Sequence, residues 1–358
     1  MAEAQKKKKK KSWIWVLLFI LMNVGILLWT GLAELKRKES SGASISDIEI
    51  RWPFFLLSAL CLLVTIVAES GKYYSLIKRL TGRSEWGLSF KITIYGRYYD
   101  NITPSGSGGQ PFQIMYLKKK GLPDGAALAV PVYAFLLHEI TFVLISILFF
   151  ACFGHLFEHQ AIKVTAYIGL VCYSLVPTAI ILSAVFPHTM GKIIMWFLRA
   201  GAALRLIKDP EKKGESVIRQ IQEYSQAINY INRHRRLSAE MFLLSLLFHL
   251  ARFSLPFLIL LAFGANADWL SVTTATAFIH GAITIIPTPG GAGAAEASFY
   301  LVFSSLPEAG LVFWAMLLWR FFSDYIFILS GILLTAFEYM QGKLKESRRN
   351  RYSVQKPQ

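Results

Sequence analysis

A chain of 358 residues with 54% apolar and only 17% charged side chains falls short of the roughly 25% charge of soluble domains, which argues against an ordinary water-soluble fold. Its net charge is +16; on a soluble protein that would raise nucleic acid as a partner, but here the bases cluster just outside long apolar stretches, where orientation signals belong, and no nucleic acid is expected. Cys61, Cys152 and Cys172 all fall inside apolar stretches without paired spacing, so neither a disulfide framework nor a zinc site is expected.

Residues 1–12 contain the lysine run Lys6 to Lys11 and read as a basic cytoplasmic tail. The apolar stretch 13–33 is longer than the 7–15 apolar residues of a signal peptide, and no A-x-A cleavage pattern follows, so it reads as a retained first span. The loop 34–51 balances Glu34, Glu39, Asp47 and Glu49 against Lys36, Arg37, Lys38 and Arg51, which suits the outer side. Span two, 52–68, returns the chain to Lys72, Lys78, Arg79 and Arg83, expected in the cytoplasm. Residues 86–117 are too polar and too broken to span, and they end in Lys118, Lys119 and Lys120, again cytoplasmic by charge. The segment therefore dips into the bilayer and returns on the same side.

Span three, 126–154, leads to a short outer loop with His155, Glu158 and His159, and span four, 164–186, returns to Lys192. Residues 188–238 read as a cytoplasmic insert with ten bases and four acids. Within it Val217, Ile221, Tyr224, Ile228 and Ile231 recur at helical spacing opposite Arg219, Gln222, Gln226 and Asn229, a stripe for the bilayer surface or the protein's own flank. Span five, 241–263, exits to Asp268. The stretch 270–305 is broken in its middle, and span six, 311–337, must end in the cytoplasm because the basic tail 340–358 follows. That requires 270–305 to enter and leave on the outer side. The expected fold is an all-α polytopic membrane protein: about six full spans plus two re-entrant helical hairpins of opposite polarity, resembling an inverted repeat, in one domain over 13–339.

The two breaks resemble each other. The first reads Asn101-Ile102-Thr103-Pro104-Ser105-Gly106-Ser107-Gly108-Gly109-Gln110-Pro111 and the second Ile286-Pro287-Thr288-Pro289-Gly290-Gly291-Ala292-Gly293-Ala294-Ala295-Glu296. Proline removes a backbone donor and glycine frees the dihedrals, so helices stop there. Non-helical chain at membrane depth is tolerated only against protein or a water-filled cavity. Paired breaks entering from opposite faces match the plan of transporters whose half-helix ends point at a central ligand, and the N-terminal amides of each second half-helix would offer an anion seat. The competing reading is two ordinary hairpins with proline kinks.

Charged groups inside spans cost at least ~2.5–3.5 kcal/mol at the centre, so each needs a reason. Arg320 and Asp324 have the i,i+4 spacing of an intrahelical ion pair. Glu139, Arg252 and Glu296 have no partner within their own helix and are expected to face a polar cavity, the arginine meeting phosphate and a carboxylate meeting an amine or carrying a proton. His138 and His249 read equally well as core histidines. The sequence lacks a G-x-S-x-G elbow, H-E-x-x-H, a Walker loop and CxxC, and a fifty-residue insert is too small for a catalytic domain. No catalytic residue, metal or cofactor is expected.

At these breaks the chain resembles the membrane domain of the lysylphosphatidylglycerol synthase/flippase family, whose blocks take the form N-x-T-P…G-G-[EQ]-P and P-x-P-G-G-x-G-x-x-E. They stand here as Asn101, Thr103, Pro104, Gly108, Gly109, Gln110 and Pro111, and as Pro287, Pro289, Gly290, Gly291, Gly293 and Glu296. The resemblance implies a stand-alone flippase-like protein of the bacterial cytoplasmic membrane, both termini cytoplasmic, that moves an anionic or aminoacylated phospholipid such as lysyl-phosphatidylglycerol between leaflets. It implies substrate contact for the block residues, joined by Arg252 and Glu139. Full-length members, the multiple peptide resistance factors, carry a C-terminal aminoacyl-transferase domain. Only a basic tail follows Tyr339 here, so lysyl transfer by this chain alone is not expected. The alternative is a membrane subunit working with a separate lipid aminoacyl or glycosyl transferase. A thin six-span bundle also suits homo-oligomerisation. Gln110 stands where a Glu is common, leaving one carboxylate fewer to greet a cationic headgroup.

Overall fold

The computed structural model describes residues 50–354, apart from 104–105, 158, 204–208, 210, 212–213, 216–217, 220–224, 226–228, 230–232, 284–285, 287 and 305–310. The expected first span and the Val217–Ile231 stripe lie outside the described residues. Among those described, the regular elements are all helices: α1 (Trp52–Thr81), α2 (Trp86–Ile102), α3 (Gly109–Lys119), α4 (Asp124–Phe153), α5 (Gln160–Val185), α6 (Pro187–Ala203), α7 (Arg235–Ala262), α8 (Trp269–Ile283), α9 (Ala294–Phe303), α10 (Leu311–Arg320) and α11 (Ile326–Val354). A π turn, Phe321–Tyr325, joins α10 to α11.

Five helices among the described residues are long and apolar enough to cross a membrane: Trp52–Thr81, Asp124–Leu156, Gln160–Ser183, Arg235–Ala262 and Leu311–Gln341. They are the second to sixth expected spans. At 30 residues each, α1 and α4 run about 45 Å, more than the ~30 Å of hydrocarbon they must cross. The end of α1 follows from its sequence: Gly82 adopts a left-handed φ of 72° and donates its N–H to the Lys78 carbonyl, the usual way a glycine terminates a helix. At the opposite end of the bundle, Asp268 precedes α8. Its carboxylate accepts the Ser271 N–H at 2.8 Å and the Ser271 hydroxyl at 2.9 Å, and these bonds hold it below the usual carboxylate range.

The distribution of polarity is inverted relative to a soluble protein. Leu56, Leu60, Leu63, Val67, Leu148, Val171, Leu175, Ile332 and Leu333 are exposed, whereas Lys72, Glu139, His249, Glu296, Arg320 and Asp324 are buried. An apolar outer belt of this extent is stable only against lipid or another apolar surface.

Two hydrophobic clusters divide the bundle along its length. One joins Tyr73, Leu76 and Ile77 at the C-terminal end of α1 with α2, α3, the first half of α4 (Ala127 to Leu136) and the start of α7 (Leu237, Met241). The other joins the second half of α4 (Phe142 to Phe150) and the later part of α7 (Phe253 to Leu260) with α8, α9 and α10. Because α4 and α7 run the length of the bundle, the α2–α3 hairpin packs at one end and the α8–α9 hairpin at the other. The first end carries Lys78, Arg79, Lys118, Lys119, Arg235 and Arg236.

Candidate functional site

Both expected interruptions are present as helix–turn–helix. In the first, α2 stops at Ile102 and Thr103 turns to extended geometry (φ −111°, ψ 148°). The Thr103 hydroxyl donates to the Tyr99 carbonyl at 2.7 Å and accepts the Gly108 N–H at 2.9 Å. The Asp100 carboxylate accepts the Gly109 N–H at 2.8 Å, tying the start of α3 back to the end of α2. Glycine is required by close approach: a Cβ on Gly108 would lie 2.5 Å from the Thr103 methyl and 3.0 Å from the Tyr99 carbonyl, and one on Gly109 would lie 2.5 Å from Asp100 Oδ1. In the second break the requirement is conformational, because Gly290, Gly291 and Gly293 have φ of 58°, 65° and 88°, the region where a side chain is strained. Glu296, in the first turn of α9, accepts the Gly293 N–H at 2.7 Å, the return half of a capping box.

These contacts correct one expectation. The amides of Gly108, Gly109 and Gly293 already donate to protein oxygens, so they are not vacant seats for an anionic headgroup.

The two breaks meet. Asn101 donates from Nδ2 to the Asp324 carbonyl at 3.2 Å, Arg320 donates to the Gly290 carbonyl at 3.2 Å, and a Cβ on Gly290 would lie 3.2 Å from the Asn101 carbonyl oxygen. Next to this junction is a cavity of about 580 Å³. Asn101, Gly106, Ser107 and Gln110 line it from the first break, and Ile286, Thr288, Gly290 and Gly291 from the second. The long helices add Glu69 and Tyr73 from α1, Arg97 and Asp100 from α2, His138 and Glu139 from α4, Tyr173 from α5 and Arg252 from α7. Its walls therefore come from the middle of the spans, between the two hydrophobic clusters.

Of the expected site residues, Asn101, Gln110, Glu139, Arg252, Gly290 and Gly291 line the cavity. Thr103, Gly108, Gly109 and Gly293 build the turns, Pro289 lies within the second break, and Pro104 lies outside the described residues. Glu296 is placed behind the cavity wall: it accepts from Arg320 Nε at 2.7 Å and from the Tyr325 hydroxyl at 3.4 Å. The expected Arg320–Asp324 pair is present and is larger than expected, since the same guanidinium also holds Glu296 and Gly290. Arg252 approaches Asp324 Oδ1 at 3.8 Å. The cluster sits on the π turn, a device that locally widens a helix and recurs at functional sites.

A second buried cluster was not expected. Lys72, assigned by charge to the cytoplasm, is fully buried within α1 and lies 2.9 Å from Glu69 Oε2 and 3.2 Å from His138 Nδ1. The span runs thirteen residues beyond the apolar window, because the acid at i and the base at i+3 neutralise each other inside it. His249 is 3.1 Å from the His138 carbonyl.

Sequence reasoning missed Glu69, Tyr73, Asp100 and Tyr173 in the cavity wall and, most consequentially, Arg97. Its guanidinium lies over the Phe248 ring at 4.6 Å, a cation–π contact, and among the described residues no carboxylate comes within ion-pair distance. Its donors are therefore available to the cavity. The signal was in the sequence, since Arg97, Asp100 and Asn101 are three and four apart on a helix and share a face.

Comparison with known proteins agrees with the sequence blocks. The family model described as "Lysylphosphatidylglycerol synthase TM region" matches residues 13–331. A relative from Archaeoglobus fulgidus, a "UPF0104 membrane protein", is 24% identical over 265 residues, covering 71% of this chain and 77% of its own length.

Proposed function

The chain belongs to the lysylphosphatidylglycerol synthase transmembrane-region family, and we propose that it moves a phospholipid between membrane leaflets by passing the headgroup through the cavity between its two broken helices. The observation that carries this reading is that both breaks line one mid-bundle cavity whose charges have both signs. Arg97 and Arg252 offer guanidinium donors to a phosphate, a geometry that pairs well with its oxygens. Glu139 and Asp100 face the same space and suit an amine. A volume of about 580 Å³ accommodates a headgroup and leaves the acyl chains to the lipid-facing surface. Both signs together favour an anionic or aminoacylated phospholipid, lysyl-phosphatidylglycerol among them. The concentration of Lys and Arg at the α2–α3 end supports, by the positive-inside rule, a cytoplasmic location for that end.

The test is a leaflet-specific assay in proteoliposomes with fluorescent short-chain lipids and a membrane-impermeant quencher. The expected result is protein-dependent exchange for phosphatidylglycerol or its lysyl ester, slowed about 10- to 100-fold in Arg97→Ala. Absence of stimulated exchange for every anionic, aminoacylated and polyprenyl lipid tried would overturn the reading.

A further inference from the structure

Resting on the translocation reading, we propose that Glu139 is a proton-exchange site, which releases its proton when the ammonium group of an amine-bearing headgroup enters the cavity, so that such lipids move in exchange for protons. The argument starts from how the carboxylates around the cavity are partnered. Glu69 is held by Lys72, Glu296 and Asp324 by Arg320, and Asp100 accepts the Gly109 amide. Glu139 differs from all of these. It is 2% exposed, no base lies within ion-pair distance of it among the described residues, and its Oε2 has no hydrogen-bond partner. The Tyr173 side chain is a polar neighbour of it.

The groups facing Glu139 from the packed elements are Glu69 and Lys72 on α1, Arg97 and Asp100 on α2, Tyr173 on α5 and His249 and Arg252 on α7, with His138 beside it on α4. No base of this set forms an ion pair with Glu139 among the described residues. Lys72 lies against Glu69 and His138, Arg97 over Phe248, and Arg252 toward Asp324. A bare carboxylate withdrawn from water without a counter-charge is strongly disfavoured, so this unpartnered carboxyl beside the cavity needs a proton or an incoming cation. Glu296, the other carboxylate that sequence alone offered as a proton carrier, has Arg320 in that place.

The step balances without any oxidant or reductant. The O–H bond of the Glu139 acid breaks, the carboxylate keeps the electron pair, and the proton leaves to solvent as the ligand's ammonium pairs with the carboxylate. Release of the headgroup on the other side requires Glu139 to take a proton from that side. A headgroup without an amine supplies no counter-charge and displaces no proton.

The experiment is titration calorimetry of the purified full chain in detergent, run in buffers of different ionisation heat. The probes are short-chain phosphatidylethanolamine, lysyl-phosphatidylglycerol and phosphatidylglycerol. Wild type should release about one proton per amine-bearing lipid bound and none with phosphatidylglycerol, and Glu139→Gln should release none with any of them. Binding of amine-bearing lipids without proton release, equal release from Glu139→Gln, or binding of phosphatidylglycerol alone overturns the inference and leaves translocation standing. Binding of no lipid overturns both. Should Glu139→Gln fail to fold, the wild-type comparison between amine-bearing and amine-free lipids still decides the proposal, and Glu139→Asp, which keeps the carboxyl, should retain the release.

Discussion

Truncating Arg320 to alanine removes the one guanidinium that serves two buried carboxylates and a turn carbonyl. Glu296 is 1% exposed and Asp324 5%; after the change neither retains its arginine partner at bonding distance, since Arg252 stands 3.8 Å from Asp324. Breaking a buried ion pair by removing one partner costs ~3–5 kcal/mol. Two acids lose their closest cation here, so the upper end, ~5 kcal/mol, is expected, a shift of about three decades or more in the unfolding constant. The exposed pair Lys118–Asp124, with side chains 47% and 85% accessible, provides the reference, and Lys118→Ala should cost less than ~1 kcal/mol. Reversible denaturation in detergent, followed by tryptophan fluorescence with Trp319 adjacent to the site, measures both. A triple variant, Arg320→Met with Glu296→Gln and Asp324→Asn, removes all the charge at once and should recover most of the loss. The reasoning is refuted if Arg320→Ala costs no more than Lys118→Ala.

Arg97→Ala should slow lipid movement about 10- to 100-fold, from the loss of a charged hydrogen bond of ~1.5–3 kcal/mol, while the denaturation midpoint stays near wild type; the leaflet assay and the melt together check this. Gly331→Ala places a methyl against the Tyr98 ring, an overpacking expected to cost ~1–3 kcal/mol, and Tyr98→Ala in the same chain should return most of it in the same denaturation assay. Gly109→Ala puts its Cβ 2.5 Å from Asp100 Oδ1, displacing the carboxylate from the turn. It should reduce lipid movement at least about tenfold, by analogy with an unsatisfied buried group at ~1–3 kcal/mol, with membrane insertion unchanged by immunoblot of washed membranes.

How much of this was legible in the sequence depends on whether the signal was local. Spans two to six and both breaks were readable because long apolar runs and Pro-Gly clusters act on their own segment. The first pair of helices stops at Ile102 and restarts at Gly109, inside its block, and the second stops at Ile283, three residues before its block, and restarts at Ala294 within it. The Arg320–Asp324 pair was readable because its spacing is intrahelical. Arg320–Glu296 spans 24 residues and Lys72–His138 spans 66, and no spacing rule reaches across helices. Lys72 illustrates this most clearly: its place after the apolar window was readable, but its burial against Glu69 one turn earlier and His138 on another helix was not. The half-helix amides were misjudged for a related reason, because side chains of Thr103, Asp100 and Glu296 cap them and sequence gives their position but not their direction.

The central claim, that two breaks from opposite ends of the bundle share one water-accessible cavity, is tested most directly by thiol accessibility. In a chain with Cys61, Cys152 and Cys172 replaced, Ser107→Cys and Thr288→Cys are placed singly and together, and reaction with a small membrane-impermeant thiosulfonate is timed. Both positions should react more slowly than a cysteine in bulk solvent, and a bulky adduct on either one should slow the other. Bulk-solvent rates at both, reaction at neither, or two rates that ignore each other's occupancy would contradict the account.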